Sequence, residues 1–193
     1  IHRDCGSLPR DDESMELRLD LPTTSAQESL ALGINIGDFI SFDPNYEFTA
    51  SGFIKARHLD DKAAVALLLY LLEESAKYTL PHGVDILISN NEEVGFGGNS
   101  SIAKEVVEYV ALDMGAVGMG QNSSEMAVSI CAKDASGPYH YGLTQQLIQL
   151  AKQNQIPHRI DIYPFYGSDA SAAVRAGYDL RHALFGPGID ASH

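Results

Sequence analysis

Helical and strand-like patterns alternate along the chain from Phe53 onward, and this alternation limits the folds that are open to it. Apolar runs of strand length predict strands at residues 84–89, 106–112, 126–132 and 156–162. Runs rich in helix-forming residues predict helices at 61–78, 142–153 and 168–176. Such alternation builds a sheet covered by helices, in which ligands gather at the carboxyl ends of the strands. We therefore expect an α/β domain over residues 53–193.

The first part of the chain, residues 1–52, is polar and rich in turns. Short alternating segments at 15–21 and 39–42 predict strands of a small barrel. Residues 25–33 predict a short helix that Ser25 caps, with Glu28 three residues later and a glycine at its end. We expect these residues to belong to a separate small β-domain.

Composition excludes several classes of partner. A chain of 193 residues with 45% hydrophobic residues can bury the core of one or two domains. The net charge of -13 argues against nucleic acid and anionic membranes, which both select clustered Lys and Arg. No apolar run approaches the roughly 20 residues of a spanning helix. Cys5 and Cys131 lie far apart and no secretory apolar segment is seen, so we expect free thiols and a cytoplasmic protein.

Two adjacent carboxylates, Glu92 and Glu93, stand where an apolar run gives way to glycines. Adjacent residues on an extended backbone point to opposite sides, so the two can have different tasks. An enzyme that activates water with metal ions needs one carboxylate to hold the cation and another to accept the proton. Taken alone, an acidic pair before a glycine turn is more often a solvated loop.

Further acidic residues occur at the ends of predicted elements. Asp60 and Asp61 stand at the entrance of the predicted helix 61–78, where one carboxylate would suffice as a cap. Asp113 follows an apolar strand-like run and precedes a glycine by two residues, which is also an ordinary turn signal. His193 offers an imidazole in a terminal loop.

The order of these motifs resembles the M42 family of metallo-aminopeptidases. The resemblance rests on five segments: Leu59–Lys62, Asn91–Gly95, Leu112–Gly115, Gly167–Ala170 and Ser192–His193. Residues 32–39 are similar to a segment of that family's inserted β-barrel domain. No single motif is decisive, but the ordered set is specific. The resemblance implies a mixed β-sheet of the metallo-exopeptidase type, flanked by helices, with an inserted small β-barrel domain.

The same resemblance implies a site with two divalent ions, which would be zinc, cobalt or manganese. Asp60 resembles the ligand that bridges the ions, while Glu93 and Asp113 each resemble a ligand of one ion. His193 resembles the histidine that completes the ion bound by Glu93. Glu92 resembles the general base that takes the proton of the attacking water. These residue types agree with the ligand preferences of such ions.

Four residues have weaker assignments. Ser168 and Asp169 resemble a substrate-side loop, although their local pattern is also that of a helix N-cap. His140 is a candidate for the wall of the substrate groove. Asp61 is either a helix cap or a residue that contacts the metal ligands without binding the ions. The resemblance also implies a cis peptide bond between Asp60 and Asp61.

One expected ligand is missing from the matched positions. The family uses an upstream histidine that is followed two residues later by an aspartate, and His2 followed by Arg3 and Asp4 does not supply it. We therefore expect the chain to be part of a longer protein, in which the ion held by Asp60 and Asp113 gains a histidine.

Three functions remain open at this point. The favoured one is an aminopeptidase that hydrolyses the N-terminal peptide bond of short peptides and works as a homo-oligomer, since the family's barrel joins subunits. The alternatives are an amidase or deacylase of a small acylated peptide, and a non-catalytic scaffold with an incomplete metal site. Four carboxylates held close together repel one another unless cations bind, which favours an enzyme.

Overall fold

The computed structural model describes residue 3 and residues 5–192, and it divides into two compact units with a boundary between Phe42 and Asp43. In the first unit, helix α1 (Ala26–Ala31) forms as predicted. The Ser25 hydroxyl accepts a hydrogen bond from the Glu28 backbone N–H at 3.3 Å and so caps the helix. Helix α1 has no buried residue.

The inserted barrel is not confirmed. The described residues of the first unit contain α1 and a 3-10 helix at Asp12–Ser14, but no strand. Residues 15–21 and 39–42 alternate in polarity, yet they pair with no strand in the part of the chain that the structure describes. A segment of alternating polarity forms a strand only where a neighbouring strand pairs with its backbone N–H and C=O groups.

The second unit begins with an antiparallel pair, β1 (Glu47–Phe48) and β2 (Ile54–Lys55), and continues into helix α2 (Leu59–Ser75). Leu67, Leu69 and Leu72 of α2 remain about half exposed. Among the helices that the structure describes, none has the length and apolar character that crossing a membrane requires.

The remaining strands form one mixed six-stranded sheet. They are β3 (Glu108–Leu112), β4 (Gly115–Val117), β5 (Val128–Asp134), β6 (Gly137–Pro138), β7 (His158–Ile162) and β8 (Arg181–Asp190). The order is β3-β8-β5-β6, with β4 also beside β8 and β7 also beside β5. Strand β8 is parallel to β3 and β4 but antiparallel to β5. The expected mixed sheet is therefore confirmed.

Helices pack on both faces of this sheet. They are α3 (Tyr141–Gln153) and α4 (Asp169–Arg175), both close to their predicted positions. Ile130 of β5 packs with Ile148 of α3, whereas the next residue, Cys131, belongs to a cluster with Ala170 of α4. Neighbouring strand residues face opposite sides of a sheet, so the two clusters lie on its two faces.

The sheet differs from the sequence-based expectation, which also did not include the short strands β4 and β6. Residues 84–89 form no strand, because they pair with no other strand among the described residues. Strand β8, in contrast, was not predicted, since Gly186, Pro187 and Gly188 resemble a loop. It forms through pairing with β3, β4 and β5, and the missing side chains of Gly186 and Gly188 let neighbouring backbone come close to it.

Candidate active site

A cleft of about 470 Å³ brings the predicted acidic residues together in the second unit. Its lining includes Asp60, Glu92, Glu93, Asp113 and Asp169. Among the lining residues, Arg175 alone is cationic. Segments far apart in sequence thus deliver their carboxylates to one place. Of the three residues that the sequence predicted at strand ends, Asp113 follows a strand, whereas Glu92 and Glu93 do not.

The backbone at the start of α2 presents Asp60 to this cleft, with Asp61 next to it in sequence. His58 has a left-handed conformation with φ of 63°, and the two aspartates have non-helical dihedral angles, so the regular helix follows them. The peptide bond between Asp60 and Asp61 is cis, as the family resemblance implied. Both aspartates are half-buried.

Asp113 occupies the break between β3 and β4, which lie one after the other along β8. Its backbone N–H donates to the Phe185 carbonyl at 3.2 Å, and its side chain accepts from the Met114 N–H at 2.7 Å. A side chain at Gly186 would overlap the Asp113 carbonyl. The absence of a side chain at Gly186 therefore lets the backbone hold Asp113, which is only 7% exposed.

Asp60, Asp61 and Asp113 form an oxygen cluster in which one carboxylate oxygen of each lies within 4.8 Å of the others. Burial, followed by the charges of Asp113 and Asp60, raises the pKa of Asp61 to about 8. The buried Oδ1 of Asp61 has no hydrogen-bond partner among the described residues. A buried carboxylate oxygen with no donor is suited to a divalent cation, so the donor set fits the implied metal.

The pKa of Asp113 is also raised, to about 7, mainly by burial. Hydrogen bonds from Tyr166 and from the Met114 backbone oppose this rise. Tyr166 was missed in the sequence, although it precedes the Gly167–Ala170 motif directly. Its hydroxyl also lies 2.9 Å from the Met114 carbonyl, to which it donates, so it holds the segment that carries Asp113.

Glu92 and Glu93 open a 3-10 helix, Glu92–Val94, rather than ending a strand. Asn91 before it and Gly95 after it both have left-handed backbone conformations. Burial raises the pKa of Glu92 to about 8, and the charges of Asp113 and Asp169 add to the shift. Both glutamates line the cleft.

The loop that carries the glutamates packs tightly against the start of α4. The Ser89 hydroxyl donates to Oδ2 of Asp169. A Cβ atom at Gly97 or Gly98 would overlap the side chain or backbone of Asp169. The two glycines therefore permit a close approach that no other residue type allows.

The positions of Ser168 and Asp169 are compatible with both predicted roles, the N-cap of a helix and the substrate side of the cleft. The Ser168 hydroxyl accepts from the Ser171 N–H at 3.3 Å and caps α4, and both residues line the cleft. His140, in contrast, caps α3 by accepting from the Leu143 N–H at 3.1 Å and is not among the residues that line the cleft. The predicted ligand His193 lies outside the described residues.

Comparisons with known proteins identify the family of the chain. The sequence profile of the M42 glutamyl aminopeptidase family matches residues 3–193. A Bacillus subtilis protein named "Putative aminopeptidase YhfE" is 57% identical over all of this chain and 56% of its own length.

Solved structures share the fold. The dodecamer PhTET1-12s superposes with a TM-score of 0.77 at 23% identity, over 90% of this chain and 53% of its own. Aminopeptidase APDkam598 of Desulfurococcus kamchatkensis superposes with a TM-score of 0.74 at 19% identity, over 96% of this chain and 56% of its own.

The chain spans about half the length of these relatives. The family match covers both the oxygen cluster and the glutamate pair, and it extends over almost every residue. The chain therefore belongs to the M42 glutamyl aminopeptidase family.

Proposed function

We propose that the full-length protein is a metal-dependent aminopeptidase that hydrolyses the N-terminal peptide bond of short peptides. The observation that carries this proposal is the oxygen cluster of Asp60, Asp61 and Asp113, because Asp60 and Asp113 line the same cleft as Glu92 and Glu93. Membership of the family and the name of the 57% identical relative support the reaction class.

Two divalent ions, zinc, cobalt or manganese, would be held by Asp60, Asp113 and Glu93, with His193 as a further ligand. Asp61 would lie beside these ligands as part of the oxygen cluster. Such ions, when bound, polarise the scissile carbonyl and lower the pKa of the attacking water. The oxygen cluster is an energetic reason to expect cations, because close carboxylates without them repel one another.

Glu92 would act as the general base and accept the proton of the attacking water. Its carboxylate would have to stay off the ions so that it remains able to receive a proton. In the metal-free site, burial and the neighbouring carboxylates raise the pKa of Glu92 to about 8, and bound cations would offset the part of this shift that the carboxylates cause. A group of this kind can accept a proton from water and then pass it to the leaving amine.

Asp169 would contact the amino group of the substrate. Its carboxylate lines the cleft, half-buried, beside the loop that carries Glu92. A protonated amine is attracted to a carboxylate of this kind, and the attraction is stronger in a partly buried site than in water. Recognition of the amine would select peptides with a free N-terminus.

We also propose that the working particle is a homo-oligomer, in which residues 1–52 contribute to a domain that limits access to residues 53–193. The similar protein PhTET1-12s is described as a dodecamer. Restricted access would favour short peptides over folded proteins.

The substrate class is tested with a pair of compounds, an aminoacyl p-nitroanilide and its N-acetylated counterpart, added to metal-loaded full-length protein. Cleavage of the free-amine compound alone is the expected result. Cleavage of the acetylated compound alone would replace the aminopeptidase with a deacylase or amidase. Failure to cleave either compound would support a non-catalytic scaffold.

A further inference from the structure

A buried aspartate with several hydrogen-bond donors lies next to the candidate active site but outside its cleft. Asp134, at the end of β5, is only 1% exposed. Its side chain accepts four hydrogen bonds, from the backbone N–H groups of Ser136 and Gly137 and from the hydroxyls of Tyr139 and Ser171. Asp134 itself does not line the cleft.

We propose that Asp134 is a positioning residue that fixes the start of α4, and through it Asp169 and the loop that carries Glu92. The proposal rests on the function proposed above. It follows from a continuous path of hydrogen bonds and close packing, which runs from Asp134 to the wall of the cleft.

The first part of the path fixes the direction of each hydroxyl. Tyr139 donates to Oδ2 of Asp134 at 2.8 Å, so its oxygen is left to accept from the Ser168 hydroxyl at 2.7 Å. Ser168 Oγ is then oriented to accept the Ser171 N–H, which is the capping hydrogen bond of α4. Burial raises the pKa of Tyr139, which keeps its proton in place for this arrangement.

The second part of the path leads from α4 into the active site. The residue after Ser168 is Asp169, which accepts from the Ser89 hydroxyl and packs against Gly97 and Gly98. These contacts lie on both sides of the segment Glu92–Val94 in sequence. A shift of the α4 N-terminus would therefore displace the loop that carries the proposed general base.

An amide in place of this carboxylate would disturb the path at its origin. All four partners of Asp134 are donors, so an Asn side chain would turn its NH₂ group toward at least one of them. The hydroxyl network would then lose the acceptor that orients it.

A similar cluster elsewhere in the sheet provides the matched control. Asp161, 5% exposed, accepts from the Ser123 N–H and from the Ser123 hydroxyl, both at 2.8 Å. That hydroxyl lies 2.5 Å from the hydroxyl of Tyr163, which is itself buried. Neither Asp161 nor Tyr163 lines the cleft. Asp161 and Tyr163 are thus an aspartate and a tyrosine of comparable burial whose hydrogen bonds here do not involve α4. The Tyr163 ring packs against Tyr166 and shares a cluster with Ala170 of α4, and Tyr163→Phe keeps this ring.

The test is a double-mutant cycle on the metal-loaded full-length protein, with kcat and KM measured on an aminoacyl p-nitroanilide. Asp134→Asn should lower kcat by about 10-fold to 100-fold, which is typical when a residue supporting a site is lost. In a protein that already carries Asp169→Ala, the same change should cost at least about 3-fold less, because the side chain that joins α4 to the loop through Ser89 is gone. Asp161→Asn should give the same fold-change in both backgrounds.

Equal fold-changes of Asp134→Asn in the two backgrounds would overturn the proposal. If Asp134→Asn fails to fold, Tyr139→Phe and its control Tyr163→Phe replace the aspartate variants, since each removes one hydroxyl and keeps the ring.

Hydrogen exchange gives a readout that does not depend on activity. Tyr139→Phe should speed backbone amide exchange at residues 89–98 and 166–172 by at least about 10-fold, whereas Tyr163→Phe should leave these segments unchanged. Unchanged exchange in Tyr139→Phe would overturn the positioning role even in a protein without peptidase activity. If the wild type is inactive but the variants show the expected exchange pattern, the proposed function is refuted and the positioning role of Asp134 stands.

Discussion

The Ser89 hydroxyl donates a hydrogen bond to Oδ2 of Asp169, although eighty residues separate the two in sequence. This contact joins the loop that carries Glu92 to the first turn of α4. A direct hydrogen bond therefore joins the loop that carries Glu92 to the helix that carries Asp169. Changes at this contact should alter activity more than stability.

Gly98→Ala tests the packing between this loop and α4. A Cβ atom at Gly98 would overlap the backbone carbonyl of Asp169, so the loop must move away from α4. We expect kcat to fall by at least about 10-fold, since small misplacements of catalytic groups are costly. Gly118→Ala is the control, because a Cβ atom there meets nothing within 4 Å. Equal kcat values for the two variants would contradict the packing argument.

Glu92→Gln tests the assignment of the general base. The amide fills the same space but cannot accept a proton, so kcat should fall by about 100-fold or more while bound metal is retained. Metal analysis and steady-state kinetics measure the two quantities. Glu105→Gln changes an exposed glutamate outside the cleft and should leave both as in the wild type. A Glu92→Gln variant with near-normal kcat would refute the assignment.

Asp60→Asn, Asp113→Asn and Glu93→Gln test the proposed ligands. Each replaces a charged oxygen donor with a neutral amide, so each should lower the metal content of protein purified without chelator. The exposed Asp179, outside the cleft, provides the control Asp179→Asn. Full metal content in a variant would remove that residue from the ligand set.

The metal-free protein should become less stable as pH rises. The folded-state pKa values of Asp61 and Glu92 are raised to about 8, and that of Asp113 to about 7. Raised values mean that the folded state holds protons which the unfolded state has released, so stability is lost as pH increases from about 4 to about 8.

Thermal unfolding of the metal-free protein at about pH 5.5 and about pH 8.5 measures this effect, with a Tm lower by several degrees expected at the higher pH. Bound divalent metal should reduce the difference in Tm between the two pH values, because the metal favours the ionised carboxylates. A metal-free Tm that is equal or higher at about pH 8.5 would be incompatible with carboxylates that resist ionisation.

Assembly is tested by light scattering on the full-length protein near micromolar concentration. We expect a mass of several subunits, and each stable contact should bury at least about 1,200 Å². A monomeric mass with undiminished peptidase activity would separate the function from assembly.

The sequence predicted the elements whose signals are local. Helix α3 and strand β5 formed near their predicted residues because apolar periodicity alone identifies them. Strand β8 was missed because Gly186 and Gly188 carry a loop signal, and only the tertiary structure shows that backbone groups fill the space beside them. Residues 84–89 were predicted as a strand because an apolar run does not reveal whether a pairing partner is present.

The candidate site was predictable in composition but not in geometry. The order of the motifs identified Asp60, Glu92 and Asp113 as candidates, and all three line one cleft. The place of Asp61 in the oxygen cluster was not predicted, because it depends on the non-helical backbone at the start of α2. The hydrogen bonds of Tyr166 with Met114 and of Asp134 with Ser171 join residues that are far apart in sequence, and neither Tyr166 nor Asp134 carries a motif of its own.

The central claim is that the clustered carboxylates bind divalent metal and that peptide hydrolysis depends on it. The most direct measurement follows kcat on an aminoacyl p-nitroanilide while zinc, cobalt or manganese is returned to metal-stripped full-length protein. We predict that stripping lowers kcat by at least about 100-fold and that activity returns in proportion to bound metal. Undiminished hydrolysis by protein shown to contain no metal would contradict the claim.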